Sequence, residues 1–249
     1  MGALHWLKRP IAHRGLHDAG NGIVENSASA VTGAMGKSCA IEVDLQCVAG
    51  HQPIVFHDAT LDRLTNETGP VSTRNVETLR AIPLKGSRSE DRILSLPDLL
   101  ALVGGYVPLV LEVKSTWTRD RKFETNIAQA LSGYAGPVAV MSFDPHAVEA
   151  FLQVAPALPR GLVAGRFDDA KHWQSLSARQ RFAMRHLLTS AFAQPQFIAY
   201  DINALPALAP LIAKTLFGLP LLTWTVRTDA ERERALRYAD AMIFEGIEP

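Results

Sequence analysis

Short apolar stretches alternate with helix-like stretches along most of this chain. Eight of the apolar stretches have the length and the Val, Ile and Leu content of buried strands: residues 10–13, 40–48, 108–114, 137–143, 160–164, 197–201, 220–226 and 241–244. Strongly apolar strands that alternate with helices are typical of an α/β protein whose parallel sheet is covered on both faces. Eight such units within 249 residues predict a (β/α)8 TIM barrel.

Helix-like stretches lie between most of the predicted strands. The clearest are residues 26–37, 120–132, 145–154, 207–217 and 229–238. The first of them begins with Asn26 and Ser27, and either side chain can accept an orphan backbone N–H as a helix cap. Residues 165–196 also have a mostly helical pattern, but they show no recognisable chemistry.

The region after the second predicted strand departs from the simple repeat. A turn-like stretch at 49–52 is followed by another strand-like run at 53–57, and no helix fits between them. We therefore expect a hairpin that brings His57 back toward Glu42 and Asp44. Residues 58–107 contain several breakers and no barrel strand. We interpret them as an inserted small subdomain or long loop over the barrel mouth, within one domain that spans residues 1–249.

Composition and charge narrow the class of protein. The chain is 47% hydrophobic, which is enough for the core of one large barrel or two ordinary domains. Lys and Arg total 25 and Asp and Glu total 25, so the formal net charge is zero. Nothing in this balance indicates a broad surface for nucleic acid or for acidic membranes.

Targeting signals and cysteines add little chemistry. Cys39 and Cys47 are too few for a disulfide scaffold, and no Cys/His cluster has the spacing of a zinc site, so we expect two free thiols. Residues 1–10 lack the apolar core and cleavage site of a signal peptide, and no apolar run is long enough to span a membrane. These observations predict a cytoplasmic protein. No heptad pattern or apolar patch indicates an oligomeric state.

Carboxylates end two of the predicted strands. Because side chains alternate along a strand, Glu42 and Asp44 share one face, and Glu112 and Lys114 share a face of another strand. Burial of three carboxylates among valines and leucines is unfavourable unless something neutralises them. A divalent cation bound by oxygen ligands would do so.

Two histidines are expected at the same end of the barrel, where the active sites of such barrels lie. His13 ends the first predicted strand beside Arg14, and His57 ends the hairpin. A histidine can carry protons, and a guanidinium matches phosphate oxygens in a bidentate fashion. Together with a hard metal and Lys114, these residues indicate phosphodiester chemistry. Trp224 is either ordinary core or the wall of a pocket.

Each of these residues also has a purely structural interpretation. His13 could be a satisfied core histidine, Arg14 an ordinary ion-pair partner, and Glu112 with Lys114 an internal ion pair. However, buried ion networks stabilise a fold poorly in comparison with apolar packing. Three acids, two histidines and two cations at one rim therefore favour the functional interpretation.

Several segments resemble the signature of glycerophosphodiester phosphodiesterases. In the order of the family, they are residues 11–15, 25–27, 41–44, 55–66, 111–114, 142–143, 222–226 and 239–244. The most specific is the stretch from His57 to Asn66. The resemblance covers nearly the whole chain, and it implies a (β/α)8 barrel with an insertion after the His-Asp motif.

The resemblance also implies an activity and a set of site residues. The activity is metal-dependent hydrolysis of glycerophosphodiesters, the deacylated head groups of phospholipids, to glycerol 3-phosphate and an alcohol, with Mg²⁺ or Ca²⁺. Carried over by motif, the metal ligands are Glu42, Asp44 and Glu112, the general acid and base are His13 and His57, the phosphate contacts are Arg14 and Lys114, and the residue near the glycerol is Trp224. The assignment of acid and base, the nucleophile and the leaving alcohol stay open.

Three positions depart from the family pattern. Val24 stands where Pro usually precedes Glu-Asn, Arg227 where Asn often follows Trp-Thr-Val, and Glu245-Gly246 where the last strand commonly continues Thr-Asp. These changes bear on substrate preference and rim geometry rather than on the metal centre.

Two other functions are weighed against this one. A phospholipase-D-like lyase of the same superfamily would form a cyclic phosphate, but such enzymes are typically secreted, and no signal peptide is present. A non-catalytic barrel that binds a phosphorylated ligand would tend to lack one proton carrier or metal ligand, whereas every expected histidine and acid is present.

Overall fold

The computed structural model describes residues 4–169 and 173–248, and a closed ring of parallel strands forms its centre. The strands in these residues are β1 (Ile11–Ala12), β2 (Ala40–Val48), β3 (Gln52–Val55), β4 (Leu94–Ser95), β5 (Leu109–Lys114), β6 (Val138–Ser142), β7 (Arg160–Ala164), β8 (Phe197–Asp201), β9 (Leu221–Val226) and β10 (Ala241–Phe244). The ring runs β1, β2, β5, β6, β7, β8, β9, β10 and closes where β10 pairs with β1. The prediction of a (β/α)8 TIM barrel is confirmed.

Helices cover the outside of the ring. They are α1 (Ala28–Gly36), α2 (Val76–Arg80), α3 (Leu96–Val103), α4 (Lys122–Leu131), α5 (Pro145–Val154), α6 (Ala178–Arg185), α7 (Ser190–Ala193), α8 (Leu208–Thr215) and α9 (Asp229–Tyr238). The side chain of Ser27 caps α1 by accepting the Ala30 N–H. Among the described residues, no helix combines the length and the apolarity needed to cross a membrane.

The alternation of side chains along the strands separates an inner from an outer core. Ile41 and Val43 of β2 belong to the outer apolar cluster between the strands and the helices. Ala40 of β2 and Val110 of β5 belong to a smaller cluster inside the ring. Because side chains alternate, Glu42 faces inward above Ala40, on the same side of its strand.

The predicted hairpin is present after β2. β3 pairs with β2 in antiparallel fashion, and the Phe56 N–H donates to the Asp44 carbonyl at 3.0 Å, so His57 returns to the level of Asp44. The short β4 then adds to β3.

The stretch between the hairpin and β5 has two parts. A separate apolar cluster contains Leu61, Leu79 and Ile93 of the loop region together with Ile54 of β3. The helix α3, in contrast, packs its leucines into the outer core of the barrel. An inserted subdomain within 58–107 stays a prediction.

Some local expectations need correction. The described residues of 165–196 contain only the two short helices α6 and α7, so the prediction of a mostly helical segment was wrong there. Phe167 and Leu187 of this segment are buried without being helical, which shows that loop residues supply part of the outer core. Cys39 and Cys47 are free thiols, as predicted.

Candidate active site

The carboxyl ends of β1, β2 and β5 lie side by side and carry most of the predicted site. The register pairs Ala12 with Ile41, and it pairs Asp44 with Glu112 across β2 and β5. His13 follows β1 directly. The parallel ring therefore collects residues that are far apart in the sequence at one end of the barrel.

Three carboxylates form the buried centre of this end. Ligand atoms of Glu42, Asp44 and Glu112 lie within 4.8 Å of one another, and the residues are 1%, 0% and 8% exposed. Burial, together with the charges of Asp44 and Glu112, raises the pKa of Glu42 well above its ordinary value. The Oε1 atom of Glu42 is buried and has no hydrogen-bond partner. An all-oxygen set with an unpaired buried oxygen fits a hard divalent cation such as Mg²⁺ or Ca²⁺.

Two cations contact these acids. Arg14 Nε lies 3.2 Å from Asp44 Oδ2, and Lys114 Nζ lies 2.8 Å from Asp44 Oδ1 and also contacts Glu112. Burial opposes ionisation of Asp44, but Lys114 and Arg14 outweigh it and hold the pKa of this carboxyl below its ordinary range. Arg14 adopts a left-handed backbone with φ of 54°, and its N–H donates to Glu42 at 2.9 Å. The phosphate contacts predicted from the sequence thus lie against the acid cluster.

Asn26 fixes Asp44 from the loop before α1. Its Nδ2 donates to Asp44 Oδ2 at 2.9 Å, and its Oδ1 accepts the Asp44 backbone N–H at 3.1 Å. Asn26 is 1% exposed. Its side chain therefore serves the acid cluster, whereas the helix cap comes from Ser27.

His13 lies between the acid cluster and a second carboxylate. Its Nε2 is 4.0 Å from Glu42 Oε2, and its Nδ1 is 2.7 Å from Glu245 Oε2. Since a carboxylate accepts, Nδ1 carries a proton, and Nε2 faces Glu42. The hydrogen bond from His13 and the pairing with Arg227 lower the pKa of Glu245 to about 2.

His57 has a similar environment, and the charge of Asp44 acts on it. Its Nδ1 lies 2.7 Å from Asp58 Oδ1, and Arg63 donates to both oxygens of Asp58 at 2.6 and 2.8 Å. Burial, opposed by Asp44, lowers the pKa of His57. The backbone carbonyl of His57 accepts a hydrogen bond from Gln46 Nε2 at 2.7 Å.

Trp224 stands apart from this group. It lies on β9, where its indole N–H donates to the Ala199 carbonyl at 3.1 Å and its ring packs edge-on against Phe143 at 5.3 Å. In the part of the chain that the structure describes, no hydrogen bond or ring contact joins Trp224 to the acid cluster. A role near the glycerol stays a prediction.

Sequence reasoning did not assign several supporting residues. They are Glu25, Asn26, Asp58, Arg63, Arg227 and Glu245. The first four lie inside motif segments, so their positions were visible although their contacts were not. Arg227 and Glu245 stood out only as departures from the family pattern. Glu25 pairs with Arg14 at 2.6 Å and with Arg63 at 2.8 Å, and it thereby links the two histidine environments.

Comparison with known proteins gives a consistent result. The profile of the glycerophosphoryl diester phosphodiesterase family matches residues 13–247. A glycerophosphodiester phosphodiesterase of Caldanaerobacter subterraneus subsp. tengcongensis is 26% identical over 235 residues, which cover 91% of this chain and 89% of the relative. Glycerophosphodiester phosphodiesterase 1 of Bos taurus is 38% identical over 74 residues, which cover 29% of this chain and 21% of the relative.

Solved structures share the fold. An Oleispira antarctica phosphodiesterase in complex with the product sn-glycerol-3-phosphate superposes with a TM-score of 0.79 at 17% identity, covering 97% of this chain and 94% of that one. A Silicibacter pomeroyi protein described as a putative glycerophosphoryl diester phosphodiesterase superposes with a TM-score of 0.75 at 21% identity, covering 97% and 93%.

Proposed function

The chain belongs to the glycerophosphoryl diester phosphodiesterase family and is a phosphodiesterase, and we propose that it hydrolyses glycerophosphodiesters to glycerol 3-phosphate and an alcohol by metal-dependent acid–base catalysis. The observation that carries this proposal is that two histidines with carboxylate-held Nδ1 atoms accompany the acid cluster. His13 approaches Glu42, while Asp44 is the charge that most favours the protonated form of His57. A phosphodiester at the acids would therefore have two proton carriers nearby.

The buried acids would hold the divalent cation. The ligands are Glu42, Asp44 and Glu112, whose like charges disfavour a third ionised carboxylate in the absence of a cation. When bound, Mg²⁺ or Ca²⁺ would polarise a phosphoryl oxygen as a Lewis acid and orient the substrate. Lys114 already neutralises part of this charge from its position against Asp44 and Glu112.

Arg14 and Lys114 would stabilise the phosphate. Both side chains carry full positive charge, because their carboxylate partners raise the pKa of each despite burial. Cations that are already fixed in a largely buried site stabilise negative charge that develops on phosphoryl oxygens without further reorganisation. Their contacts with Asp44 hold them at the edge of the cluster.

His13 and His57 would move the protons. One imidazole takes a proton from the nucleophile as its oxygen forms a bond to phosphorus, and the other gives a proton to the alcohol oxygen as its bond to phosphorus breaks. The nucleophile is water, or the glycerol 2-hydroxyl in a first step that gives a cyclic phosphate, which water then opens. Asp58 and Glu245 hold the Nδ1 atoms, so that Nε2 is the nitrogen available for proton transfer.

The surroundings of this centre complete the proposal. The inserted residues 58–107 would shape the pocket for the leaving alcohol, and Trp224 would line the side of the glycerol. The substrates would be deacylated phospholipid head groups, which places the reaction in lipid and glycerol metabolism, with the cytoplasm as the expected location.

Product analysis tests the proposal. Purified protein would be incubated with glycerophosphocholine, glycerophosphoethanolamine, glycerophosphoglycerol and glycerophosphoinositol, with Mg²⁺, with Ca²⁺ and with excess EDTA. Metal-dependent release of glycerol 3-phosphate is expected. Cyclic phosphate as the final product would replace hydrolysis by the lyase reaction, and the absence of any product from folded, metal-loaded protein would contradict the proposal.

A further inference from the structure

Both proposed proton carriers have the same kind of support. Nδ1 of His57 contacts Asp58, which Arg63 holds, and Nδ1 of His13 contacts Glu245, which Arg227 holds at 3.0 Å. Each imidazole is thus followed by a carboxylate and then by a guanidinium. The two supports differ in origin, because Asp58 is the sequence neighbour of His57 whereas Glu245 is 232 residues from His13.

The register of the barrel explains how the distant support arises. Ala12 at the end of β1 pairs with Phe244 at the end of β10, and Phe244 pairs with Val226 at the end of β9. The next residue of each strand is His13, Glu245 and Arg227, in that spatial order. The His13 N–H donates to the Phe244 carbonyl at 2.9 Å, and the Glu245 N–H donates to the Val226 carbonyl at 3.0 Å, which fixes the row.

The charges along this row favour one arrangement of protons. Glu245 Oε2 accepts from both Nδ1 of His13 and Nη2 of Arg227, so the same oxygen joins the two side chains. The main chain at Arg227 is itself held, since its backbone N–H donates to Glu231 Oε2 at 2.8 Å. The hydrogen bond made by one ring nitrogen of an imidazole determines which of the two nitrogens carries the proton.

We propose that Glu245 is a positioning residue, held by Arg227, that keeps the proton on Nδ1 of His13 and aims Nε2 at the acid cluster. This inference rests on the proposed function, in which Nε2 of His13 exchanges the proton. It also gives a role to two departures from the family pattern. Because Arg227 and Glu245 contact each other, the effect on kcat of a substitution at one position should depend on the residue at the other.

Nuclear magnetic resonance of ¹⁵N-histidine-labelled protein tests the contact without turnover. A strongly hydrogen-bonded ring N–H signal is expected for His13, and another is expected for His57. Glu245→Gln should shift the His13 signal and leave the His57 signal in place, and Asp58→Asn should do the reverse. Glu248→Gln is the matched control, because Glu248 lies in the same terminal segment and is 94% exposed in its side chain.

Steady-state kinetics test the consequence. Glu245→Gln should lower kcat by about 10- to 100-fold, the range seen when a metal-ligating histidine loses its outer carboxylate partner, with KM near the wild-type value. Arg227→Ala should lower kcat by about two- to fivefold, because the ion pair is partly exposed. In the Glu245→Gln background the Arg227→Ala change should have no further effect. Arg232→Ala is the control for Arg227, because Arg232 is an arginine of α9 that pairs with Asp229 at 3.0 Å.

The outcomes separate this inference from the proposed function. A His13 signal that Glu245→Gln leaves unchanged, in a variant with native circular dichroism, would overturn the positioning role even if activity fell. Independent effects of Arg227→Ala and Glu245→Gln on kcat would overturn the coupling. A wild-type protein that releases no glycerol 3-phosphate, but whose His13 signal moves with Glu245→Gln, would overturn the proposed function and support the contact.

Discussion

The two histidine environments at the acid cluster are built in different ways. On the His57 side, the histidine, its carboxylate and the arginine lie within one loop, from His57 to Arg63. On the His13 side, the corresponding residues end three separate strands. The first support depends on the local conformation of a partly exposed loop, whereas the second depends on the register of the whole barrel. Two equivalent chemical environments can therefore differ in how they respond to a change nearby.

The most severe test of this equivalence removes each imidazole in turn. His13→Ala and His57→Ala should each retain the fold and lower kcat by about 10²-fold or more, as expected for a general acid or base. The measurement is kcat with a saturating metal ion, and circular dichroism checks the fold. His51→Ala is the control, because His51 lies outside the site and its Nε2 is 4.0 Å from Asp120. Near-normal turnover by either variant would show that one side alone carries the protons.

The acid cluster itself provides the next test. Glu42→Gln removes the carboxylate that approaches His13, and it should weaken binding of Mg²⁺ or Ca²⁺ by at least about 10-fold, since even outer partners of a metal ligand contribute that much. Isothermal titration calorimetry measures the affinity directly. Glu149→Gln is a suitable control, because this glutamate lies on α5 beside His146 and away from the acids. An unchanged affinity would remove Glu42 from the ligand set.

We expect Glu42→Gln to change the stability of the metal-free protein as well. Burial raises the pKa of Glu42 above its ordinary value of 4.5, so the folded protein binds this proton more tightly than the unfolded chain. The resulting stability is present below pH 4.5 and is lost as the pH rises toward the folded-state pKa. In EDTA at neutral pH, Glu42→Gln should therefore raise Tm. A lower Tm would indicate that neighbouring protein groups stabilise the charged Glu42 carboxylate without a cation.

The sequence predicted the acid cluster and the return of His57 better than it predicted the support of His13. The alternation in β2 and β5 was sufficient to place Glu42, Asp44 and Glu112 together, because inward residues of adjacent parallel strands must meet. The hairpin also predicted the return of His57. Glu245 was not assigned, since its contact with His13 follows from the strand register, and that register is not visible in a single sequence.

Other details depended on competition between local and distant partners. Asn26 is a good helix cap by type, but the buried Asp44 binds its side chain, and Ser27 caps the helix instead. The loop residues Phe167 and Leu187 belong to the outer core although their segment has a helical sequence pattern. In both cases tertiary contacts override the local preference.

Substitution of Asn26 should have a moderate effect on the free energy of unfolding, and this effect should arise at the acid cluster. Asn26→Ala removes two hydrogen bonds of the buried Asp44, one to its Oδ2 and one from its backbone N–H, and it should lower the free energy of unfolding by about 2 kcal/mol. Urea denaturation in EDTA measures this quantity. Asn75→Ala, which removes an exposed cap of the short helix α2, is the control and should cost less. Equal costs for the two variants would show that Asp44 finds other partners.

Arg63→Ala should have the smallest effect. Arg63 connects Asp58 with Glu25, but its side chain is 46% exposed, so water and salt screen these ion pairs. We expect a loss of free energy of unfolding below about 1 kcal/mol and a decrease in kcat of about fivefold or less, smaller at high salt than at low salt. The measurements are urea denaturation and kcat at two ionic strengths. Arg80→Ala, which breaks a similarly exposed pair with Asp98, should match it in stability but leave kcat unchanged. A loss of kcat as large as that of His57→Ala would show that the loop-built side depends on its arginine far more than exposure allows.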